Sequence, residues 1–327
     1  MSNNIDELLR TSASNWERWG SDDELGTLNL QRPETILRGI ESVKSGTVFT
    51  LGLPVGATGG DPVWPARSPP EHYMTRDKGH FDDKKVDREP FGGWENSDDV
   101  IHTHAHGTTH IDALGHAWYA DELYNGHSAE TTKGGLDRCG IDKIAEVGIV
   151  GRGILVDIAR HRKVSHVGAG ERIPLKEIVE VLASTNLTIE PGDILLLRTG
   201  AMGLCLNEGK AAFDHEYATI EHGDPVLNEP GISYSQQLVD WFADHDVSLF
   251  ATDTITAEQT LSETTGTRNP LHPIFLRNLG MPIGEMHNLD ALADACETDD
   301  RWDFLYTCGP MHIVGGSGAP ANPIAVR

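Results

Sequence analysis

The sequence predicts an α/β protein of one large domain, because three short apolar runs alternate with helical segments in its second half. The runs at 153–158, 192–200 and 247–253 have the length and apolar composition of buried strands. Between them, 174–187 and 233–244 carry helix signals, with a proline at or shortly before each start. A chain of 327 residues can bury a core of the size that such a domain needs.

The first 45 residues are predicted to form an extension packed on the main domain, which spans 46–327. Pro33 favours a helix start, and the helix should continue to about residue 43. The next segment, 47–55, is predicted as a strand. Trp16 and Trp19 could line an active site, but we expect them to anchor the extension to the core.

Residues 56–97 are predicted to form a long irregular loop, because prolines, glycines and charges interrupt any sustained period. Loops of this length inside a domain are usually functional lids or mobile segments. Its aromatic residues, Trp64 among them, favour a loop folded over the site or onto a neighbouring subunit. The alternative is that this segment is a surface loop without a function.

The charge balance of the chain limits the kinds of molecule that it could bind. The chain has 26 Lys and Arg against 50 Asp and Glu, a formal charge of −24, which argues against nucleic acid and against an anionic membrane surface. Its four cysteines are too widely spaced for a disulfide framework or a zinc ribbon. The N-terminus lacks a signal-peptide pattern, and no stretch approaches the roughly 20 apolar residues of a membrane span. We expect a cytoplasmic protein that acts on a small molecule.

The run at 101–119, IHTHAHGTTHIDALGHAWY, concentrates the chemistry of the chain. Its histidines and its one carboxylate are His102, His104, His106, His110, Asp112 and His116. All have even numbers, so an extended chain would point them to one face. A lone histidine is usually solvated or packed, but this density with an aspartate in phase favours a metal site.

The chain must bend if the run is to hold one ion. At about 3.3 Å per residue, His106 and His110 on a straight strand would stand roughly 13 Å apart, too far for ligands of one ion. We expect Gly107 to take an unusual φ at the bend and Thr108 and Thr109 to hold it with their hydroxyls. A helix is disfavoured by the glycine and the β-branched residues. The two histidines that precede the bend are expected to have supporting or structural roles.

This spacing resembles the H-x-G-T-H-x-D-x-P-x-H signature of the metal-dependent cyclase-like hydrolase family, which includes kynurenine formamidases, isatin hydrolases and polyketide cyclases. The chain departs from it at Gly107, one position early, and at Leu114 and Gly115, around the usual proline. Segments at 153–158, 192–200 and 308–327 also resemble the family. The resemblance implies a longer-chain member with the swivelling β/β/α fold, a mixed or antiparallel β-rich core flanked by helices, and a homodimer or homotetramer.

The resemblance also implies the ligands. His106, His110 and Asp112 would hold one ion, and His272 and Glu285 would share a second ion with a bridging Asp112. Each of the two later residues is as readily structural when taken alone, and the nearby His287 is an alternative ligand. Imidazole favours Zn, whereas Mn suits a shell completed by carboxylate and water, so we expect one or two Zn or Mn ions per chain.

Such a site predicts hydrolysis. Three protein ligands leave a position at which water becomes acidic and a carbonyl is polarised. His116, outside the chelating set, is the candidate proton carrier. The expected activity is cleavage of a small amide, formamide or lactam, as in the arylformamidases of tryptophan catabolism. Lactone hydrolysis and polyketide-cyclase chemistry are alternatives. A non-catalytic binding protein braced by metal is the alternative of another class, and His116 argues against it.

Three residues are candidates for substrate binding. Trp118, with its aromatic neighbours, could form a wall for a flat substrate, although ordinary core packing is an equal alternative. Trp64 belongs to the loop that we expect over the site. Asp253 ends a predicted strand and resembles the family's G-x-D-t stretch; its alternative is a turn or helix-cap carboxylate.

Overall fold

A nine-stranded mixed sheet forms the centre of the computed structural model, which describes residues 5–57, 60–87, 89–221 and 224–327. The strands in chain order are β1 (Val48–Thr50), β2 (Glu71–Arg76), β3 (Asp98–His102), β4 (His110–Asp112), β5 (Ile149–Asp157), β6 (Arg172–Ile173), β7 (Ile194–Arg198), β8 (Ala218–Glu221), β9 (Asp224–Leu227), β10 (Gly231–Ile232), β11 (Leu249–Thr252), β12 (Ile283–Glu285), β13 (Asp303–Cys308), β14 (Gly318–Pro320) and β15 (Ile324–Val326).

The helices cover the sheet and join its strands. They are α1 (Ile5–Thr11), α2 (Pro33–Glu41), α3 (Lys78–Asp82), α4 (Ile141–Val147), α5 (Ile158–His161), α6 (Leu175–Ser184), α7 (Ala201–Glu208), α8 (Lys210–Tyr217), α9 (Gln236–Asp244), α10 (Leu271–Pro273) and α11 (Asp290–Asp299). A π-helical segment, Ile274–Leu279, continues α10. Among the described residues, no helix is both long and apolar enough to cross a membrane.

The sheet is parallel at its centre and antiparallel towards both edges. Its order is β1-β15-β13-β5-β7-β11-β12-β4-β14. The run from β5 to β12 is parallel, whereas β4 pairs antiparallel with both β12 and β14. The short strand β4, which carries part of the histidine run, therefore lies between two strands from the C-terminal part of the chain.

The central strands are mainly apolar because helices cover both faces of the sheet. Leu195 and Leu197 of β7 point to the face covered by α6 and α9, and Ile194 and Leu196 point to the face covered by α4 and α11. Successive side chains of a strand alternate between faces, so both cores need apolar residues at every position. The predicted α/β fold with a β-rich core flanked by helices is confirmed.

The predicted elements are present with shorter bounds, except that β5 begins earlier than predicted, at Ile149. The predicted helices correspond to α2, α6 and α9, and the three apolar runs correspond to β5, β7 and β11. The segment 56–97 differs from the irregular loop predicted, because it contains β2 and α3, and β2 pairs antiparallel with β3 as an exposed ribbon. Residues 1–4 of the predicted extension and 58, 59 and 88 of the predicted loop lie outside the described residues.

The N-terminal segment contacts the π-helical segment through Trp16. The indole Nε1 of Trp16 donates to the carbonyl oxygen of Arg277 at 2.7 Å, and the Arg277 guanidinium lies over the Trp16 ring at 4.4 Å from its centroid. Asn15 donates its backbone N–H to the Asn278 carbonyl at 2.9 Å. Trp16 thus has an anchoring contact.

Candidate metal centre

Strand pairing brings two distant parts of the chain to one point. In the register of β4 and β12, His110 lies opposite Glu285, and Asp112 lies opposite Ile283. On the other side of β4, Asp112 lies opposite Gly318. Side chains two apart on a strand share a face, so His110 and Asp112 point the same way. The His110 Nε2 is 3.1 Å from Glu285 Oε2 and 3.3 Å from Asp112 Oδ1.

His106 reaches the same point because the chain turns between β3 and β4. Its Nδ1 lies 2.7 Å from Asp112 Oδ1, and its ring meets that of His110 edge-on with centroids 4.8 Å apart. The predicted bend is therefore present, but its predicted cause is wrong, because Gly107 has no positive φ. Gly107 is required for space instead: a Cβ there would lie 2.7 Å from the Thr103 hydroxyl.

Two residues of the C-terminal segment fix the His106 ring. Ser317 Oγ lies 3.1 Å from His106 Nε2, which leaves Nδ1 directed towards Asp112. Gly318 makes room for the ring, since a Cβ at that position would lie 2.5 Å from His106 Cε1. On the next ligand, His110 Nδ1 lies 2.7 Å from the Thr108 carbonyl oxygen and donates to it, so Nε2 is left as an acceptor.

His106, His110 and Asp112 form a group whose ligand atoms all lie within 4.8 Å of one another. His106 Nδ1, His110 Nε2 and both Asp112 oxygens are buried, and they have no hydrogen-bond partner among the described residues. Their close N–O approaches do not have hydrogen-bond directions. Buried polar atoms are normally paired, so a cluster of unpaired donors and acceptors of this kind fits a cation. These residues could hold a divalent metal.

A second group shares Asp112. His272 at α10 and Glu285 at the end of β12 place ligand atoms within 4.8 Å of one another and of Asp112. His272 Nε2 is 3.2 Å from Glu285 Oε1, and its Nδ1 lies 2.7 Å from Glu258 Oε1. A carboxylate on the far nitrogen of a histidine orients the ring and raises its basicity towards a metal. Glu258 therefore positions His272.

The imidazoles and carboxylates of the two groups shift one another's pKa values. Burial lowers the pKa of His110, but the carboxylates of Asp112 and Glu285 outweigh burial and raise that pKa to about 9. Burial likewise raises the pKa of Asp112, and the facing imidazoles, with His116 and His106 foremost, hold it well below its usual range. Glu258 and Glu285 overcome the effect of burial on His272 and raise its pKa well above the ordinary value.

A cavity of about 500 Å³ opens above these groups. His116, His272 and Glu285 contribute to its lining. The His116 ring stacks on that of His106 with centroids 4.2 Å apart, and His116 belongs to neither ligand group. Burial lowers the pKa of His116 to about 4, so its imidazole is neutral near neutral pH. A neutral imidazole at this position can accept a proton from a molecule in the cavity.

Both predicted tryptophans line the cavity. Trp64 is half-buried, and Trp118 is 42% exposed. Two guanidinium groups, those of Arg67 and Arg268, also line it. The volume is in the range of small-molecule sites.

Asp253 does not contribute to the lining of this cavity. Its carboxylate is buried and accepts hydrogen bonds from the backbone N–H and hydroxyl of Thr199 at 2.7 and 2.8 Å, and from the N–H of Gly200 at 2.7 Å. Burial raises its pKa to about 6. The carboxylate therefore caps the turn between β7 and α7, which is the alternative that the sequence left open.

The remaining histidines of interest lie outside both ligand groups. His287 is buried, and its two ring nitrogens contact the Tyr306 hydroxyl at 2.9 Å and the Glu285 carbonyl at 3.2 Å. Both of its ring nitrogens thus have partners, and His287 belongs to neither ligand group. His102 and His104 are exposed, and His104 Nε2 accepts from the backbone N–H of Ser68 at 3.3 Å. That contact ties the turn carrying Arg67 to the histidine run.

Glu258, Ser317 and Arg67 have no separate signal in the sequence. Glu258 lies in a stretch without helix or strand periodicity, and its distance in sequence from His272 is not diagnostic of a pair. Ser317 and Gly318 belong to the run Gly315-Gly316-Ser317-Gly318, a glycine-rich signal that is weak alone. Ser317 and Gly318 approach His106 because β14 pairs with β4, a pairing between distant parts of the chain.

Comparison with known proteins relates the chain to one family. Residues 49–259 match the model of the Cyclase family, described as "Putative cyclase". A crystal structure described as a novel cyclase is 31% identical, has a TM-score of 0.83, and the match covers 97% of this chain and 100% of that one. None of the curated proteins matches the sequence.

Two more distant structures share the fold. Isatin hydrolase A from Ralstonia solanacearum is 19% identical with a TM-score of 0.59, over 86% of this chain and 92% of its own. Isatin hydrolase A from Labrenzia aggregata is 16% identical with the same TM-score, over 88% of this chain and 94% of its own. At these identities the likeness concerns the fold.

Proposed function

The chain belongs to the Cyclase family, and from this premise we propose that it is a metal-dependent hydrolase of a small amide, formamide or lactam. One observation supports the proposal most directly. Buried, unpaired ligand atoms of His106, His110 and Asp112 converge beside a cavity of about 500 Å³ that His116 also lines. A site that only braced the fold would not need an adjoining open cavity or a neighbouring proton carrier.

The ligand sets favour one or two Zn or Mn ions per chain. His106, His110 and Asp112 would hold the first ion, and Asp112, His272 and Glu285 would hold the second. A cation bound there supplies a Lewis acid that polarises a substrate carbonyl and lowers the pKa of water. Ser317, the Thr108 carbonyl and Glu258 orient the three imidazoles for this task.

His116 is the proposed proton carrier. In amide hydrolysis, the oxygen of water bonds to the carbonyl carbon, the C–N bond breaks, and a proton from the water ends on the leaving nitrogen. His116 lies on the cavity wall against His106, where a substrate carbonyl beside the ligand groups would be within its reach. It can accept the proton at a ring nitrogen and pass it to the leaving group.

Trp64 and Trp118 are proposed to contact the substrate. Both rings line the cavity, and flat indole surfaces suit a planar aromatic substrate. These walls favour an arylformamidase-like activity on an N-acyl aromatic amine or a fused lactam over activity on an aliphatic amide.

The proposal is tested on the purified protein. Elemental analysis should find about one or two Zn or Mn per chain. N-formylkynurenine, isatin and a panel of lactones are then assayed side by side, with and without a chelator. Turnover of an amide or lactam that a chelator abolishes and added metal restores supports the proposal. Metal-free turnover that resists a chelator contradicts it, and so does metal-loaded protein that turns over none of the amides or lactams.

A further inference from the structure

Two guanidinium groups line the cavity of a strongly acidic protein. The chain carries a formal charge of −24, yet Arg67 and Arg268 both contribute to the cavity wall. A neutral substrate needs neither. Guanidinium is the side-chain group best suited to a carboxylate, because it offers paired N–H donors in a fixed plane.

Arg67 is held in place by the backbone of a residue in the first ligand group. Its Nη1 donates to the carbonyl oxygen of His106 at 2.8 Å, which fixes the guanidinium beside the first ligand group. The turn that carries it is closed by a hydrogen bond from the Arg67 N–H to the Trp64 carbonyl at 2.8 Å. One turn therefore presents an aromatic ring and a cation to the same cavity.

The two arginines differ in their charge partners. Arg268 Nη2 forms an ion pair with Glu221, and its Nη1 donates to the Leu227 carbonyl at 3.3 Å. Across the described ranges, Arg67 forms no such pair with a carboxylate. A guanidinium has five N–H donors, and the one bond to His106 leaves others for a ligand. Of the two cavity arginines, Arg67 is thus the one whose positive charge is not balanced by a carboxylate of the described residues.

We propose that the substrate carries a carboxylate, and that Arg67 binds it while the aromatic part of the substrate lies against Trp64. This inference rests on the proposed function, and it narrows the substrate class to planar amides or lactams with an acidic group. Arg67 is a specificity-determining residue in this scheme. Arg268, already paired with Glu221, contributes little to carboxylate binding.

The first test compares a matched pair of substrates, N-formylanthranilate and its methyl ester, on metal-loaded protein. We expect kcat/KM to favour the acid, and Arg67→Gln to reduce this preference by about 10- to 100-fold, the range of hydrogen bonds to a charged group. Arg268→Gln is the matched control, because it removes a cavity guanidinium that already has a carboxylate partner, and it should keep most of the preference. Arg67→Lys should give an intermediate value, since the charge remains but the planar pair of donors is lost.

The second test measures binding without turnover. Calorimetric titration with 2-propylbenzoate and with 2-propylbenzyl alcohol, neither of which has a C–N bond to cleave, gives the affinity for an anion and for its neutral counterpart. The wild-type protein should prefer the anion, and Arg67→Gln should lose most of this preference at unchanged metal content. If Arg67→Gln loses metal, Arg67→Lys replaces it in both tests.

The two measurements separate the inference from the proposed function. Arg67-dependent binding of the anion without turnover of any amide supports the carboxylate site and contradicts the hydrolase. Turnover of both substrates with the same preference in wild type, Arg67→Gln and Arg67→Lys supports the hydrolase and overturns the carboxylate site. The carboxylate site is also overturned if the affinity for the anion is the same in the Arg67 variants but is lost when the metal is removed. The metal ion, and not Arg67, would then bind the carboxylate.

Discussion

His110 and Glu285 lie directly opposite each other on the antiparallel strands β4 and β12, with His110 Nε2 at 3.1 Å from Glu285 Oε2. This pairing joins the two ligand groups into one centre, because His110 belongs to the first group and Glu285 to the second. A slip of one residue in this register would turn one of the two side chains to the opposite face of the sheet. The register of β4 is thus a condition for the site as well as for the sheet.

Replacing His110 and His116 separately should distinguish ligand from proton carrier. His110→Ala removes a proposed metal ligand, so both metal content and turnover should be lost. His116→Ala should keep the metal and lower turnover by about 10²- to 10⁴-fold, the usual contribution of a general acid or base. Elemental analysis and steady-state kinetics on the same preparations provide the comparison. Unchanged turnover in His116→Ala would remove its proposed role.

Glu258→Gln should weaken the second ligand group selectively. The carboxylate lies 2.7 Å from His272 Nδ1, and the loss of such a partner typically lowers metal affinity by about 10- to 100-fold. Titration of the metal-free protein with Zn should show one weakened binding step and one step close to that of the wild type. Glu263→Gln changes an exposed glutamate nearby and is the control. Two unaltered steps would contradict the positioning role.

Gly318→Ala should displace the His106 ring. The added Cβ would lie 2.5 Å from His106 Cε1 and 2.9 Å from the Ile111 carbonyl oxygen, so one of them must move. We expect a stability loss of about 1–3 kcal/mol together with weaker metal binding. Gly309→Ala is the matched control, because its Cβ would have no atom within 4 Å. Denaturant unfolding and metal titration measure the two effects, and equal results for both variants would show that the close approach is unimportant.

Glu229 should make stability fall as the pH rises. Burial, with added repulsion from Glu285 and Asp253, raises its pKa to about 8, although its oxygens accept from the Ile255 N–H at 3.0 and 3.1 Å. Between the ordinary pKa of 4.5 and about 8, the folded state keeps a proton that the unfolded state loses, so the free energy of unfolding decreases with pH. Glu229→Gln mimics the protonated form and should reduce this slope. Denaturant unfolding of the wild type and of Glu229→Gln at several pH values in that window measures the two slopes. Equal slopes of the free energy of unfolding against pH would contradict the role of Glu229.

Local patterns in the sequence were sufficient to predict the central strands of the fold and the shared direction of two residues of the candidate site. β5, β7 and β11 are buried on both faces, so each contains a short apolar run that is easily recognised. The shared direction of His110 and Asp112 follows from the two-residue period of a strand. The distance limit on ligands of one ion was enough to require a bend before His110, but the steric need for Gly107 depends on where Thr103 lies.

Other features depend on contacts between distant parts of the chain. Pairing of Glu258 with His272, the approach of Gly318 to His106 and the position of Arg67 all arise from tertiary packing that no local period encodes. The carboxylate of Asp253 was ambiguous for the same reason, since the backbone it caps belongs to a different strand end. Strand β2, which lies within 56–97, forms an exposed ribbon with β3, and both strands lack the inside-outside alternation by which strands are recognised.

Asp112 belongs to both ligand groups, and this makes the two positions thermodynamically linked. Occupancy of one position changes the charge and orientation that the carboxylate offers to the other, so each ion alters the affinity of its neighbour by the same factor. Substitutions on opposite sides of the centre will therefore not have additive effects on metal binding. With an ion at each proposed position, a metal titration should report a coupling energy as well as two affinities, and Asp112 is the proposed link between the two positions.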